Sequence, residues 1–218
     1  GGSARNAIPA QCTAQVVILD SPRFDEVFAQ EVADIREEFR LIEPGLSITT
    51  QPVKPELGYI PTMADHELKP FVLALQAVVN GVYRMSPVVP GLVEASSNLS
   101  LISLGEGHAE WSGLQRSSVE SSKEDVARAF AAPFQLIDAK VVQDAGYPGW
   151  SPSAESPILE KMKTLYRDLF GHDVKVSACH AGLECGVIAI AYPDLDMISF
   201  GPNIHEAHSE KECCSISS

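Results

Sequence analysis

Cationic side chains are scarce in this sequence. Lys and Arg number 16 against 29 Asp and Glu in 218 residues, a formal net charge of −13. Binding to nucleic-acid phosphates needs a basic footprint, so the balance excludes that class of partner. No run of 18 apolar residues occurs, and no membrane-spanning helix is expected. No C-x-x-C pair occurs either, and the five cysteines (Cys12, Cys179, Cys185, Cys213 and Cys214) are odd in number. They read as reduced thiols of a cytoplasmic protein rather than as a disulfide framework. H-E-x-x-H is missing, as is His-x-Asp in a strand context, so no complete metal site of familiar spacing is present. Internal repeats and low-complexity stretches are also absent. What is present is 45% hydrophobic content, enough to bury a core.

In chain order, residues 10–19 alternate as a strand. Ser21-Pro22 opens a helix to about Arg40, with Phe24, Val27, Phe28, Val32, Ile35 and Phe39 on one face and acids on the other. Pro44-Gly45 ends it, 46–53 is a second strand, and prolines 52, 55 and 61 mark a loop. A second helix starts between Asp65 and Pro70 and runs to about Asn80, with Gly81 as its stop. Residues 91–104 and 108–119 form a hairpin closed by Gly105-Glu106-Gly107. Ser122 and Asp125 resemble a capping box that opens a third helix toward Phe134, kinked at Pro133. Residues 138–145 complete a β-α-β-α-β-β-α-β order. That order suits a two-layer α+β sandwich: a mainly antiparallel sheet with helices on one face.

Tyr147-Pro-Gly-Trp150-Ser-Pro152 marks the domain boundary, giving units 1–145 and 146–218. Beyond it the pattern changes to α/β. A helix from Pro157 stops at Gly171, and a buried strand follows from Val174. A glycine turn, His180-Ala-Gly182-Leu-Glu184, leads into a short helix. A second strand, Asp196–Pro202, then leads to a loop carrying His205 and His208. Ligands in such sheets sit beyond the carboxyl ends of the strands, which is where these residues fall.

Each candidate has a functional and a plain reading. His208 lies in a polar loop beside Glu206 and Glu210, an arrangement that suits a metal-bound imidazole steadied by a carboxylate, although exposed loop histidines are commoner. His180 and Glu184 share a helical face if that segment is helical. Gly182 permits close backbone approach where free N–H groups favour an anion. The alternative is a strand end followed by an acid that offsets the helix dipole. Arg116, among Gln115, Ser117 and Ser118, can clamp a carboxylate bidentately or lie on a solvated strand face. Asn6 before a strand is a turn residue or a ligand contact.

Five motifs carry a family likeness: Gly1-Gly-Ser-Ala-Arg-Asn6-Ala-Ile-Pro9, Gly146-Tyr-Pro-Gly-Trp150, His180-Ala-Gly-Leu-Glu-Cys-Gly186, Tyr192-Pro-Asp-Leu-Asp-Met-Ile-Ser-Phe-Gly-Pro202 and His208-Ser-Glu-Lys-Glu212. In this order they resemble the aminoacyl-histidine dipeptidases, carnosinase-type di-zinc metallopeptidases of the cytosol. The resemblance implies that 1–145 is most of a lid, or dimerisation, domain and that 146–218 is an incomplete part of a catalytic domain. It implies two zinc ions in the parent enzyme, activating a water with a glutamate as general base. It implies His208 as ligand of one zinc, Asn6 and Arg116 on the substrate's C-terminal end, and Gly182 as a backbone contact; Glu184, four residues after His180, is a candidate substrate contact from its spacing.

The other metal ligands and the general base would lie upstream of Gly1. The chain opens without Met or a signal-peptide pattern and stops without a tail-like composition, so it reads as a fragment, inactive and metal-poor by itself. A dipeptide substrate and a homodimer through the lid are the expected partners. The competing readings are a non-catalytic dimerisation module and another member of the same superfamily, an aminoacylase or a broad dipeptidase.

Overall fold

A computed structural model describes residues 1–2, 4–53, 62–87, 89–105, 107–144, 146–151, 153, 155–178, 183–206 and 210–216. The first helix, α1 (Ser21–Phe39), forms where the sequence places it, but its cap is Asp20 rather than Ser21. The Asp20 carboxylate accepts the Arg23 N–H at 3.4 Å, and Pro22 sits in the first turn, where no N–H is needed. Phe24 stacks on Phe28 one turn later, yet only Val32 of this helix is buried.

Helix α2 (Asp65–Ala77) ends three residues before the expected Asn80. The residues so released allow an edge strand, β1 (Gly81–Met85), that the sequence pattern did not reveal. The hairpin β2 (Val93–Gly105) and β3 (His108–Ser117) is where it was expected, and the three strands form one antiparallel sheet in the order β1-β2-β3. Gly105 pairs with His108, and Gly107 takes φ +82° in the turn, a conformation that glycine adopts without a Cβ clash.

Helix α3 (Glu120–Gln135) starts two residues before Ser122 and continues through Pro133 to Gln135. Ser122 is therefore not a cap; it is buried and turned toward the sheet. Helices α2 and α3 pack together, with α3 against β2 and β3, a two-layer α+β arrangement as expected.

The core lies between these layers. Ala74 and Val78 meet Phe134, and Leu75, Leu99, Trp111, Phe130, Ile137 and Val141 close around them. Trp111 stacks on Phe134 at 4.4 Å between centroids, and Phe71 and Phe130 approach the same pair. Phe134, Val126 and Ala95 are fully buried.

After residue 151 come α4 (Pro157–Phe170), α5 (Glu184–Ala191) and a short antiparallel pair, β4 (Ile204–His205) with β5 (Cys213–Cys214). Helix α4 has its expected limits: Ser156 accepts the Leu159 N–H at 3.2 Å, and Gly171 ends the helix in the left-handed conformation.

Five segments that read as strands carry none among the described residues: 10–19, 46–53, 138–145, 174–178 and 196–202. The reason is common to all. A strand is stabilised by its neighbour's ladder, and alternation of side chains cannot supply that neighbour. Val17, Leu19, Val142, Val176 and Phe200 are accordingly exposed. The described cysteines, Cys12, Cys185, Cys213 and Cys214, are free thiols. No helix of the described residues is long and apolar enough to cross a membrane.

Candidate functional site

The sheet has two different faces. On β3, Trp111 and Gly113 point toward α3: Trp111 stacks on Phe134, and a Cβ at position 113 would lie 2.6 Å from the Phe130 ring. Side chains alternate along a strand, so Arg116 and Leu114 belong to the opposite face. Arg116 lies directly across from Ser96, and Asn98, across from Leu114, is the next β2 residue on that face. The Asn98 amide donates to the main-chain oxygens of Ala7 and Arg5 at 2.8 and 3.2 Å, and Ser100 Oγ donates to Arg5 O at 2.5 Å. The turn Ala4–Ala7, which carries Asn6, is thereby tied to the face that bears Arg116. Two residues 110 positions apart in sequence are brought to one surface. Arg116 is half-buried and makes no ion pair among the described residues.

A polar cluster that sequence reasoning missed ties β1 to α3. The Glu94 side chain is only 8% exposed; it accepts from Ser122 Oγ at 2.9 Å and from Arg84 at 3.4 Å. Arg84 also donates to Ser122 Oγ at 2.9 Å, and Tyr83 donates to Asp125 at 2.9 Å. That hydrogen bond to a carboxylate is the main cause that pushes the Tyr83 hydroxyl pKa up. The only sequence signal was a polar side chain, Ser122, on the helix face that otherwise carries Val126 and Phe130.

The stretch 146–151, a connector between α3 and α4, is held by a second cluster. Glu120, in the first turn of α3, accepts from Lys123 Nζ at 2.9 Å and from the Gly149 N–H at 3.0 Å. These two donors, Lys123 first, hold its carboxyl below the usual range. Lys123 also donates to Tyr147 O at 2.7 Å. The connector then passes so close to its neighbours that side chains are excluded. A Cβ on Gly149 would lie 2.6 Å from Ser118 O, and one on Gly186 would lie 2.8 Å from Pro148 O. Gly186 is thus required by contact between α5 and the connector. Glu184, two residues earlier in the first turn of α5, is exposed.

Gly182, His180 and His208 lie outside the described residues. The described residues that flank His208 in sequence pair as β4 and β5, Ile204 with Cys214 and His205 with Cys213, and Ser215 N–H donates to Asn203 O at 2.9 Å. Among the described residues no three His, Cys, Asp or Glu side chains gather as a metal cluster.

No family model matches the sequence. It is 30% identical over 227 aligned positions to the cytosol non-specific dipeptidase of Escherichia coli (strain K12), across 100% of this chain and 45% of that protein. Its fold matches the crystal structure of the aminoacylhistidine dipeptidase from Vibrio alginolyticus with a TM-score of 0.79 and 32% identity, over 88% of this chain and 38% of that one. The chain therefore spans less than half the length of either relative. Both similarities bear out the resemblance read from the motifs.

Proposed function

We propose, from this kinship with dipeptidases in both sequence and fold, that the chain is part of a metallo-dipeptidase of the aminoacyl-histidine type. One observation carries the role of its own residues: the Asn6 turn and the uncommitted Arg116 share one face of the sheet, with Asn98 linking them. A guanidinium that makes no ion pair among the described residues can take the two oxygens of a dipeptide's terminal carboxylate as parallel hydrogen bonds. Asn6 adds an amide at the same end, and the reading assigns further substrate contacts to Glu184, in the first turn of α5, and to Gly182.

The reading assigns His208 to one of two zinc ions of the whole enzyme, where metal would supply the activated water. A catalytic zinc takes about three protein ligands, and the described residues do not assemble such a set. The chain alone is therefore expected to bind zinc weakly and to be inactive. Dipeptides are the broad substrate class and Xaa-His the narrower one; the first relative is named non-specific, the second aminoacylhistidine. The former's name also supports a cytosolic setting. Partnering with a second copy through the sheet domain belongs to the same reading.

The test is a chimera in which this chain replaces the matching 45% of the E. coli dipeptidase. Xaa-His hydrolysis is expected, with Arg116→Ala raising KM about tenfold or more, the worth of one charged hydrogen bond. An unchanged KM would remove Arg116 from the site. A folded chimera that cleaves acylated amino acids but not dipeptides would replace the dipeptidase reading by an aminoacylase. Loss of one metal per chain on His208→Ala is expected; a full metal complement after it would defeat the ligand assignment.

A further inference from the structure

Among the described residues Ser100 is the most buried polar one, 1% exposed. Its hydroxyl leaves the sheet and donates to Arg5 O at 2.5 Å, a carbonyl outside every helix and strand. Two positions earlier on β2, the Asn98 side-chain amide donates to Arg5 O at 3.2 Å and to Ala7 O at 2.8 Å. Arg5 and Ala7 are the residues on either side of Asn6, so the Asn98 amide straddles it. The same amide also contacts Ser100 Oγ at 2.9 Å, which makes the two side chains one unit. An amide nitrogen carries two hydrogens. Those of Asn98 are spent inside the protein, and none is left for a substrate carboxylate.

The segment before the turn lies along the same strand. Ile102 N–H donates to Gly1 O at 3.1 Å. Gly2, at φ +88°, passes so close that a Cβ would stand 1.9 Å from Ser100 O, which only glycine tolerates. Arg5 also reaches Asp144 at 3.3 Å, but these side chains are 54% and 68% exposed, and exposed pairs contribute little. Within the turn itself the bond is long, Ala7 N–H to Ala4 O at 3.3 Å. The anchorage of exposed Asn6 therefore falls to Asn98 and Ser100. What they fix is a spacing. Arg116 pairs with Ser96, diagonal to Asn98, and diagonal neighbours on one face stand roughly 7–8 Å apart. A turn tied to Asn98 is held beside Arg116, and a site held in place before binding loses less entropy when ligand arrives.

We propose that Asn98, seconded by Ser100, is a positioning residue for the terminal-carboxylate end of the site. It sets where Asn6 stands relative to Arg116 and does not touch substrate. The role rests on the reading in which Asn6 and Arg116 take the dipeptide's carboxylate.

The chimera with the E. coli dipeptidase and the 218-residue chain test it together. In the chimera, Asn98→Ala removes both donors, and Asn98→Asp keeps the shape while turning acceptors toward the two carbonyls. Each is expected to raise KM for an Xaa-His dipeptide about three- to tenfold with kcat within about twofold, the mark of lost uniform binding. A residue that acts through Asn6 cannot cost more than Asn6→Ala itself, and in the Asn6→Ala background Asn98→Ala should add nothing. A full additional rise of KM in that background, or a fall of kcat at unchanged KM, overturns the positioning role. An effect of Arg116→Ala with none from Asn98→Ala overturns it too, while keeping the dipeptidase reading. In the 218-residue chain, Asn98→Ala should lower the backbone order parameters of Asn6 and Ala7 from about 0.85 toward about 0.6. The unfolding midpoint followed by Trp111 fluorescence should stay where it is. Unchanged order parameters overturn the anchorage whatever the chimera does. A chimera without dipeptidase activity overturns the reading and the substrate role with it, and a drop in order at Asn6 would then show an anchored turn that serves no carboxylate.

Discussion

Helices α3 and α4 are alike as sequences. Each runs for about four turns, each carries aromatic and aliphatic residues on one stripe, and each has an acid in its first turn, Glu120 in α3 and Glu160 in α4. Their fates differ. Helix α3 buries Val126 and Phe134 completely; α4 buries no residue, and its Leu169 and Phe170 are 67% and 59% exposed. The cause lies outside the helices. α3 has β2, β3 and α2 to pack against, whereas α4 meets its surroundings chiefly through its first turn, where Asp196 accepts from Ser156 Oγ at 2.6 Å and from the Ile158 N–H at 2.7 Å. Amphipathic patterning proposes a buried face; burial needs a complementary face from another element.

The largest expected effect tests that contrast directly. Phe134→Ala empties the centre of the aromatic cluster and should destabilise residues 71–141 by about 3–5 kcal/mol, read from denaturant unfolding followed by Trp111 fluorescence. Leu169→Ala, the corresponding truncation on α4, should stay within about 0.5 kcal/mol. Equal effects would mean that α4 has a packed face in solution and that the contrast is false.

Next in size is the joint between the regions. Gly186→Ala places a Cβ 2.8 Å from Pro148 O, a main-chain atom that cannot rotate away. Overpacking of this kind costs about 1–3 kcal/mol. The connector is expected to leave Glu120, so the stretch 146–155 should be cut faster by a protease while the Phe134 core keeps its unfolding midpoint. An unchanged cutting rate would show that the connector is held without Gly186.

This comparison also explains what the sequence disclosed. The hairpin around Gly105 and Gly107, the limits of α4 between Ser156 and Gly171, and the extent of α1 were legible because local rules decide them: turn chemistry, caps and helical periodicity. Strand β1 was not legible, because Val82 and Arg84 earn strand status only by pairing with β2. The unformed strands fail for the converse reason: Val176 and Phe200 have strand composition and no edge to pair with. At the candidate site, Arg116 was visible as an arginine among serines, and Asn6 through its motif. That the two share a face through Asn98 depends on the β2–β3 register, which no local pattern carries. Glu94 escaped notice and Ser122 read as a cap because their burial against each other is a tertiary fact.

A smaller effect is expected at the root of α4. Asp196→Ala removes both bonds to the first turn and should cost that helix about 1–2 kcal/mol, with Ser156 retained as a cap. Because α4 is little supported elsewhere, the loss should appear as local fraying, seen in faster amide exchange at Ile158 to Glu160. A uniform change across residues 71–141 would instead show that the two regions unfold as one unit.

The smallest effect concerns acid. Lys123 and the Gly149 N–H both favour the ionised form of Glu120, so its folded pKa lies below the ordinary 4.5. A depressed carboxyl contributes stability that is fully present above 4.5 and is lost as the pH falls through the lower folded value. The joint should therefore hold at neutral pH and loosen only in acid below 4.5, and the Gly149 amide resonance should report it. In Glu120→Gln the side-chain oxygen still accepts from Gly149, but the proton-linked step is gone and the acid-side drift of that resonance should flatten. A Gly149 titration midpoint at or above 4.5 would break the link between this carboxylate and the connector, leaving Gly186 and Gly149 packing as the joint between the two regions.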